Sequence, residues 1–101
     1  MMKKVTKKEI NKLLTGIKHI VDNLGWSVWQ IGAYAKCNEI KLYVAYHGQG
    51  LDENVYNGAY DNIVDLTDYY QDWANGVLDK KTTVDLIYDC INENLLLTKV
   101  K

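Results

Sequence analysis

The sequence predicts a small α+β domain with an N-terminal amphipathic helix, a two- to three-stranded antiparallel sheet and two C-terminal helices. Apolar residues first recur at helical spacing, then alternate as in strands, and return to helical spacing after a glycine-containing stretch. The chain has 101 residues, of which 48% are hydrophobic and 25% charged. That composition suits one domain with one core, and we expect residues 1–101 to form it.

The first helix follows a capping signal, because Thr6 precedes Glu9 by the three residues of a capping box. Gly25 is placed to end this helix. The apolar residues between them share one helical face: Ile10, Leu13, Leu14, Ile17, Ile20, Val21 and Leu24. We expect that face to pack on the core.

A β-hairpin is predicted after the first helix. Residues 26–35 are rich in strand-forming Trp, Val, Ile and Tyr, and Asn38 can turn the chain. The next residues alternate, so that one face carries Ile40, Leu42, Val44 and Tyr46. Glycines mark residues 48–61 as a loop, with a short third strand or hairpin expected around residues 55–60.

Two helices are predicted at the C-terminus. Helical spacing returns at about Asn62, with Ile63, Leu66, Tyr70, Trp73 and Val77 on one face, and Asn75-Gly76 ends the pattern. Thr82 stands in the position of an N-cap for the last helix. The main apolar stripe of that helix is Val84, Ile87, Tyr88, Ile91 and Leu95.

Charge is divided between two poles. Residues 1–50 carry a balance of +5 and residues 51–101 a balance of −6, which the net charge of −1 conceals. Within the negative pole, aspartates recur at spacings of four, three and four residues: Asp61, Asp65, Asp68 and Asp72. On one helix they would form a single stripe with no lysine at i+3 or i+4. The functional interpretation is a surface that occupies a basic groove, and the alternative is a solvated helix face.

The aromatic residues are eight tyrosines and three tryptophans, without phenylalanine. Such residues combine a large apolar area with a polar tip and are enriched at interfaces. We expect Trp29, Tyr70 and Trp73 in the core. The surplus is Trp26, Tyr34, Tyr43, Tyr56, Tyr60 and Tyr69. Tyr56, Tyr60 and Tyr69, together with the four aspartates, form the predicted partner-binding site.

Tyr56-Asn57-Gly58, which leads into the predicted acidic helix, resembles the binding segment of barstar-type nuclease inhibitors. The order of the predicted elements departs from that fold, so the likeness is one of surface. It is an analogy and not a relationship to that family.

Chemical motifs are sparse. An enzyme would depend on His47, with Asp52 nearby and Cys37 as a nucleophile, and no second motif supports it. We therefore expect no catalytic residue, no cofactor and no metal site, since the histidines and cysteines are scattered singly. No apolar run approaches the roughly 18 residues of a membrane span and no secretory signal is present, so we expect a cytoplasmic protein with reduced cysteines.

These observations predict a protein that binds a basic surface of another protein, such as a nuclease or other nucleic-acid-binding enzyme. All twelve basic residues are lysines and proline is absent, which is typical of AT-rich coding sequences and favours a phage or mobile-element inhibitor of host defence. Direct nucleic-acid binding is disfavoured by the acidic C-terminal half. The alternatives are a homodimer or assembly module that uses an aromatic sheet face, and a small hydrolase that uses His47.

Overall fold

The computed structural model describes residues 4–36, 39–48 and 63–95, which form three helices and a three-stranded antiparallel sheet. The elements in chain order are α1 (Lys7–Leu24), β1 (Val28–Lys36), β2 (Glu39–Tyr46), β3 (Ile63–Asp65), α2 (Thr67–Ala74) and α3 (Lys80–Asn94). The predicted α+β class and order of elements are confirmed. The strand expected around residues 55–60 lies outside the described residues.

Helix α1 begins and ends as its sequence predicts. The Thr6 N–H donates to Glu9 Oε1 over 2.9 Å, and the Glu9 N–H donates to Thr6 Oγ1 over 3.1 Å, which completes the capping box. Gly25 adopts a left-handed φ of 73° and its N–H donates to the carbonyl of Val21. Five residues of the apolar stripe lie in the core or pack against it, whereas Leu24 is 58% exposed: Ile10, Leu13, Leu14, Ile17 and Val21.

The sheet has the order β2-β1-β3, so β1 is the central strand. The hairpin register pairs Ile31 with Val44, Ala33 with Leu42 and Ala35 with Ile40. These residues belong to the core cluster or pack against it. The predicted face of β2 is thus confirmed for Ile40, Leu42 and Val44, which all lie on the core side.

Strand β3 replaces the first turn of a predicted helix. Ile63 pairs with Tyr34, Val64 with Ala33 and Asp65 with Gly32 in antiparallel register. The helix predicted to begin at about Asn62 begins instead at Thr67. The prediction was wrong because apolar residues at positions 63, 66 and 70 suit a strand followed by a helix as well as one helix. Hydrogen bonding to β1 decides between them.

Helix α3 begins earlier than predicted. Its N-cap is Asp79, whose Oδ1 accepts from the Thr82 N–H over 2.7 Å. The predicted N-cap, Thr82, therefore lies inside the first helical turn. The buried residues of α3 are Thr83, Val84, Ile87 and Ile91.

The main core lies between the helices and one face of the sheet. Its fully buried large aliphatic side chains lie on α1, β1 and α3 and at the N-cap of α2: Ile10, Leu14, Ile17, Ile31, Leu66, Ile87 and Ile91. Among the described residues, no helix has both the length and the apolar character that crossing a membrane requires.

The aromatic residues are distributed differently from the prediction in three places. Trp29, expected in the core, is 45% exposed because the register of the hairpin shifts between Val28 and Gln30. Tyr34 and Tyr43, expected at the surface, are buried on the face of the sheet opposite the main core. Tyr70 is buried and Trp73 half-buried against the core, as predicted.

Candidate protein-binding surface

The predicted acidic stripe is divided between two elements. Asp65 ends β3, whereas Asp68 and Asp72 lie one turn apart on α2. Asp61, Tyr56 and Tyr60 lie outside the described residues, as does the segment that resembles a barstar-type inhibitor. The expectation that one helix carries all four aspartates is wrong, because pairing with β1 draws residues 63–65 into the sheet.

The Asp65 carboxylate accepts hydrogen bonds from Thr67, two residues further along the chain. Its Oδ1 accepts from the Thr67 N–H over 2.9 Å and from the Thr67 hydroxyl over 2.5 Å. These bonds hold the turn between β3 and α2, in the manner of an Asx turn. Asp65 is therefore an exposed charge whose carboxylate also stabilises the start of α2.

Tyr69 lies where α2 packs against α3. It is half-buried beside Cys90 of α3. The pKa of Tyr69 is raised, chiefly by the electrostatic influence of Cys90 and then by burial, with smaller contributions from Glu93 and Asp68. The tyrosine is thus within the electrostatic influence of one carboxylate from each helix.

A second group of carboxylates comes from α3. Asp85, Asp89 and Glu93 follow one another at four-residue spacing, which places them about 6 Å apart along the helix and on one side of it. Asp85 forms ion pairs, described below. Asp89 and Glu93 are exposed, and α3 contains no lysine after Lys81.

Together these residues define what we call the acidic surface: Asp68 and Asp72 of α2, Asp89 and Glu93 of α3, and Tyr69 between the helices. None of the four carboxylates forms an ion pair within the described part of the chain. The sequence alone indicated Asp68, Asp72 and Tyr69. The sequence analysis missed Asp89 and Glu93, because nothing in the sequence showed that α3 lies beside α2. The pattern that could have indicated them is their four-residue spacing with no lysine after them in α3.

His47, on which an enzyme would depend, lies at the end of the β-hairpin. This residue is exposed just beyond β2, where its backbone N–H donates to the Ser27 carbonyl over 2.9 Å. Asp52 and Cys37, the residues expected to assist it, lie outside the described residues. Where the chain is described, no three His, Cys, Asp or Glu side chains are grouped as metal ligands would be.

None of the protein-family models, curated proteins or solved structures compared with this chain matches it.

Proposed function

We propose that this protein is a cytoplasmic, non-enzymatic binding module whose acidic surface docks on a basic surface of another protein. The observation that carries the proposal is that two packed helices, α2 and α3, each carry two exposed carboxylates, and that half-buried Tyr69 lies within the electrostatic influence of one carboxylate from each helix. Like charges one turn apart cost a few tenths of a kcal/mol per pair in a helix. A cationic partner would turn that cost into favourable contacts.

The form of the surface supports a nucleic-acid-binding partner. Each helix carries two exposed carboxylates about 6 Å apart along its axis, and a groove built for phosphates can accept such a concentration of negative charge. Tyr69 adds an amphipathic aromatic side chain, a residue type in which interfaces concentrate their binding energy. The most concrete form of the proposal is an inhibitor that occludes a nuclease or related enzyme, of the kind that phages and mobile elements use against host defence.

The test is affinity capture from cell lysate at low and then raised salt, with two variants of equal net charge as baits. Asp68→Asn/Glu93→Gln neutralises one carboxylate on each helix of the acidic surface. Glu9→Gln/Asp22→Asn neutralises two carboxylates of α1, and Gln keeps the capping box. We expect to capture a protein whose affinity for the first variant is about tenfold lower than its affinity for the wild type. Its affinity for the second variant should equal that for the wild type.

The captured protein is then titrated with a DNA duplex. The proposal requires that DNA and this chain compete for it. Equal losses in both variants would show a response to net charge alone and would contradict a defined surface. Recovery of nucleic acid without a protein would also contradict the proposal.

A second candidate is self-association through exposed aromatic residues. Leu24, Trp26 and Trp29 follow one another around the junction of α1 and β1 and are 58%, 38% and 45% exposed. The sheet face first expected to serve this role has Tyr34 and Tyr43 buried within the chain. Light scattering of the wild type and Trp29→Ser distinguishes the candidates: a dimer that Trp29→Ser dissociates supports assembly, whereas a wild-type monomer rejects it.

A further inference from the structure

A lysine-lined groove lies between α1 and α3, and it includes none of the residues of the acidic surface. It has a volume of about 610 Å³ and is lined by Lys7, Lys8, Asn11, Lys80, Lys81, Val84 and Asp85. Lys7 meets Asp85 in the second turn of α3, whereas Thr15, two turns further along α1, meets Lys80 at the start of α3. The two helices are therefore antiparallel where they contact each other. This places Lys7 and Lys8 of α1 around the same depression as Lys80 and Lys81 of α3.

The groove keeps an excess of positive charge. Asp85 pairs with Lys7 over 3.2 Å and with Lys81 over 3.3 Å, and hydrogen bonds from these two lysines lower its pKa. Lys80 instead donates to the Thr15 hydroxyl and lies 6.0 Å from the centre of the Trp73 ring. Four ammonium groups thus share one carboxylate, which leaves a formal charge of about +3 at neutral pH.

Two of the four lysines, Lys7 and Lys80, are each held by two contacts, and the lysines keep free donors. Each ammonium has three N–H donors, and the ion pairs with Asp85 use only part of the capacity of Lys7 and Lys81. Lys7 is further fixed 5.1 Å above the Tyr88 ring, as Lys80 is by Trp73. Side chains already ordered lose less conformational entropy when they bind a ligand.

We propose that this groove binds a compact anion that carries two or more phosphate groups, such as a polyphosphate or the phosphate chain of a nucleotide. Its volume lies in the range of small-molecule sites, roughly 300–1,000 Å³. A nucleic-acid strand is disfavoured because Asp89 and Glu93 follow one and two turns beyond Asp85 on α3, where an extended backbone would meet them. The Asn11 amide adds a neutral donor at the wall.

The test is calorimetric titration of the full chain with inorganic tripolyphosphate at about 0.1 M salt, where the Debye length is about 10 Å. We expect one saturable site for the wild type. Lys8→Gln/Lys81→Gln removes two ammonium groups of the groove, and binding should weaken about tenfold or more. Lys36→Gln/Lys41→Gln removes the same charge from the β-hairpin, outside the groove, and should leave binding within about twofold of the wild type.

A parallel titration with a nucleoside triphosphate distinguishes the two sources of phosphate. If the nucleoside triphosphate binds with the same affinity as tripolyphosphate, the groove recognises the phosphate chain alone. If it binds more tightly, the groove also recognises the nucleoside. Absence of a saturable site, or equal weakening by both lysine pairs, would overturn the proposal. Tighter binding of a single-stranded oligonucleotide than of tripolyphosphate would also overturn it. The outcome is independent of the acidic surface, because Lys8→Gln/Lys81→Gln leaves Asp68, Asp72, Asp89 and Glu93 intact.

Discussion

The ring of Tyr43 lies across the backbone of Gly32, its partner in the pairing of β2 with β1. A Cβ atom at Gly32 would stand 2.7 Å from Tyr43 Oη and 2.5 Å from the Val64 carbonyl oxygen. The absence of a side chain at Gly32 therefore allows the tyrosine ring and β3 to approach the central strand together. Glycine inside a strand commonly marks such a close approach.

Gly32→Ala should destabilise the protein strongly. The added methyl group meets a backbone oxygen that β-sheet pairing holds in place, so Tyr43 and β3 must both shift. We expect a loss of about 2–3 kcal/mol in the free energy of unfolding, measured by chemical denaturation.

Gly16→Ala is the matched control for that substitution. Gly16 lies inside α1, and a Cβ atom there would have no side chain and no atom of another element within 4 Å beyond its immediate neighbours. Alanine should there stabilise the protein by up to about 1 kcal/mol, since it is the better helix former. If the two substitutions had similar effects, the close approach at Gly32 would be refuted.

Tyr43→Phe should stabilise the protein by about 1 kcal/mol at neutral pH. The residue is 6% exposed, and its hydroxyl finds no hydrogen-bond partner among the described residues. An unsatisfied buried hydroxyl costs free energy that phenylalanine does not incur. Denaturation of the two proteins at neutral pH measures the difference. A destabilised Tyr43→Phe would show that the hydroxyl is satisfied, for instance by a bound water.

The same substitution should change the response to alkali. Burial, assisted by the charge of Asp65, raises the pKa of Tyr43 from 10.0 to about 12. Because the folded pKa is the higher one, the protonated phenol contributes stability that is complete below pH 10 and is lost as the pH rises towards 12. The advantage of Tyr43→Phe over the wild type should therefore grow across that interval. A constant difference would contradict the raised pKa.

Thr67→Val should destabilise the junction of β3 and α2. The Thr67 hydroxyl accepts from the Ile31 N–H over 3.1 Å, which continues the hydrogen bonding of β1 beyond the last residue of β3. Valine keeps the shape but leaves that N–H without its acceptor, at a cost of about 1–3 kcal/mol. Thr67→Ser keeps the hydroxyl and should lose much less. Equal losses in the two variants would assign the effect to packing of the methyl group.

Asp79→Asn should make the acid sensitivity of α3 smaller. Hydrogen bonds from the backbone and side chain of Thr82 lower the pKa of Asp79 below 3.8. Its contribution to stability is present above pH 3.8 and is lost as the pH falls through the lowered value. Asparagine still caps the helix but does not titrate. Melting temperatures measured above and below pH 3.8 should therefore differ less in Asp79→Asn than in the wild type.

The parts of the fold that were predicted well depend on neighbours in the sequence. The capping box of Thr6 and Glu9, the end of α1 at Gly25 and the alternation of β2 are each written within a few residues. The start of α3 could not be predicted even from neighbouring residues. Asp79 and Thr82 are both suitable N-caps, and they lie only three residues apart. The cap that forms is the one whose side chain reaches the N–H of the first turn.

The candidate surface was predicted only in part, for a different reason. Asp68, Asp72 and Tyr69 are consecutive features of one short helix, so their spacing could be recognised. Asp89 and Glu93 join them only because α3 packs beside α2, and nothing in the spacing of either helix states that contact. Likewise, the burial of Tyr43 follows from its pairing with Gly32.

The sequence by itself determined the class of the fold, the order of its elements, the apolar stripes of the helices and the separation of charge into two halves. Tertiary structure decided where that charge is concentrated. Pairing of residues 63–65 with β1 divided the aspartate stripe, and packing of α3 against α2 and α1 assembled the acidic surface and the lysine groove. Periodicity records which face of an element is buried, whereas the neighbour of that face is chosen by long-range packing and backbone hydrogen bonding.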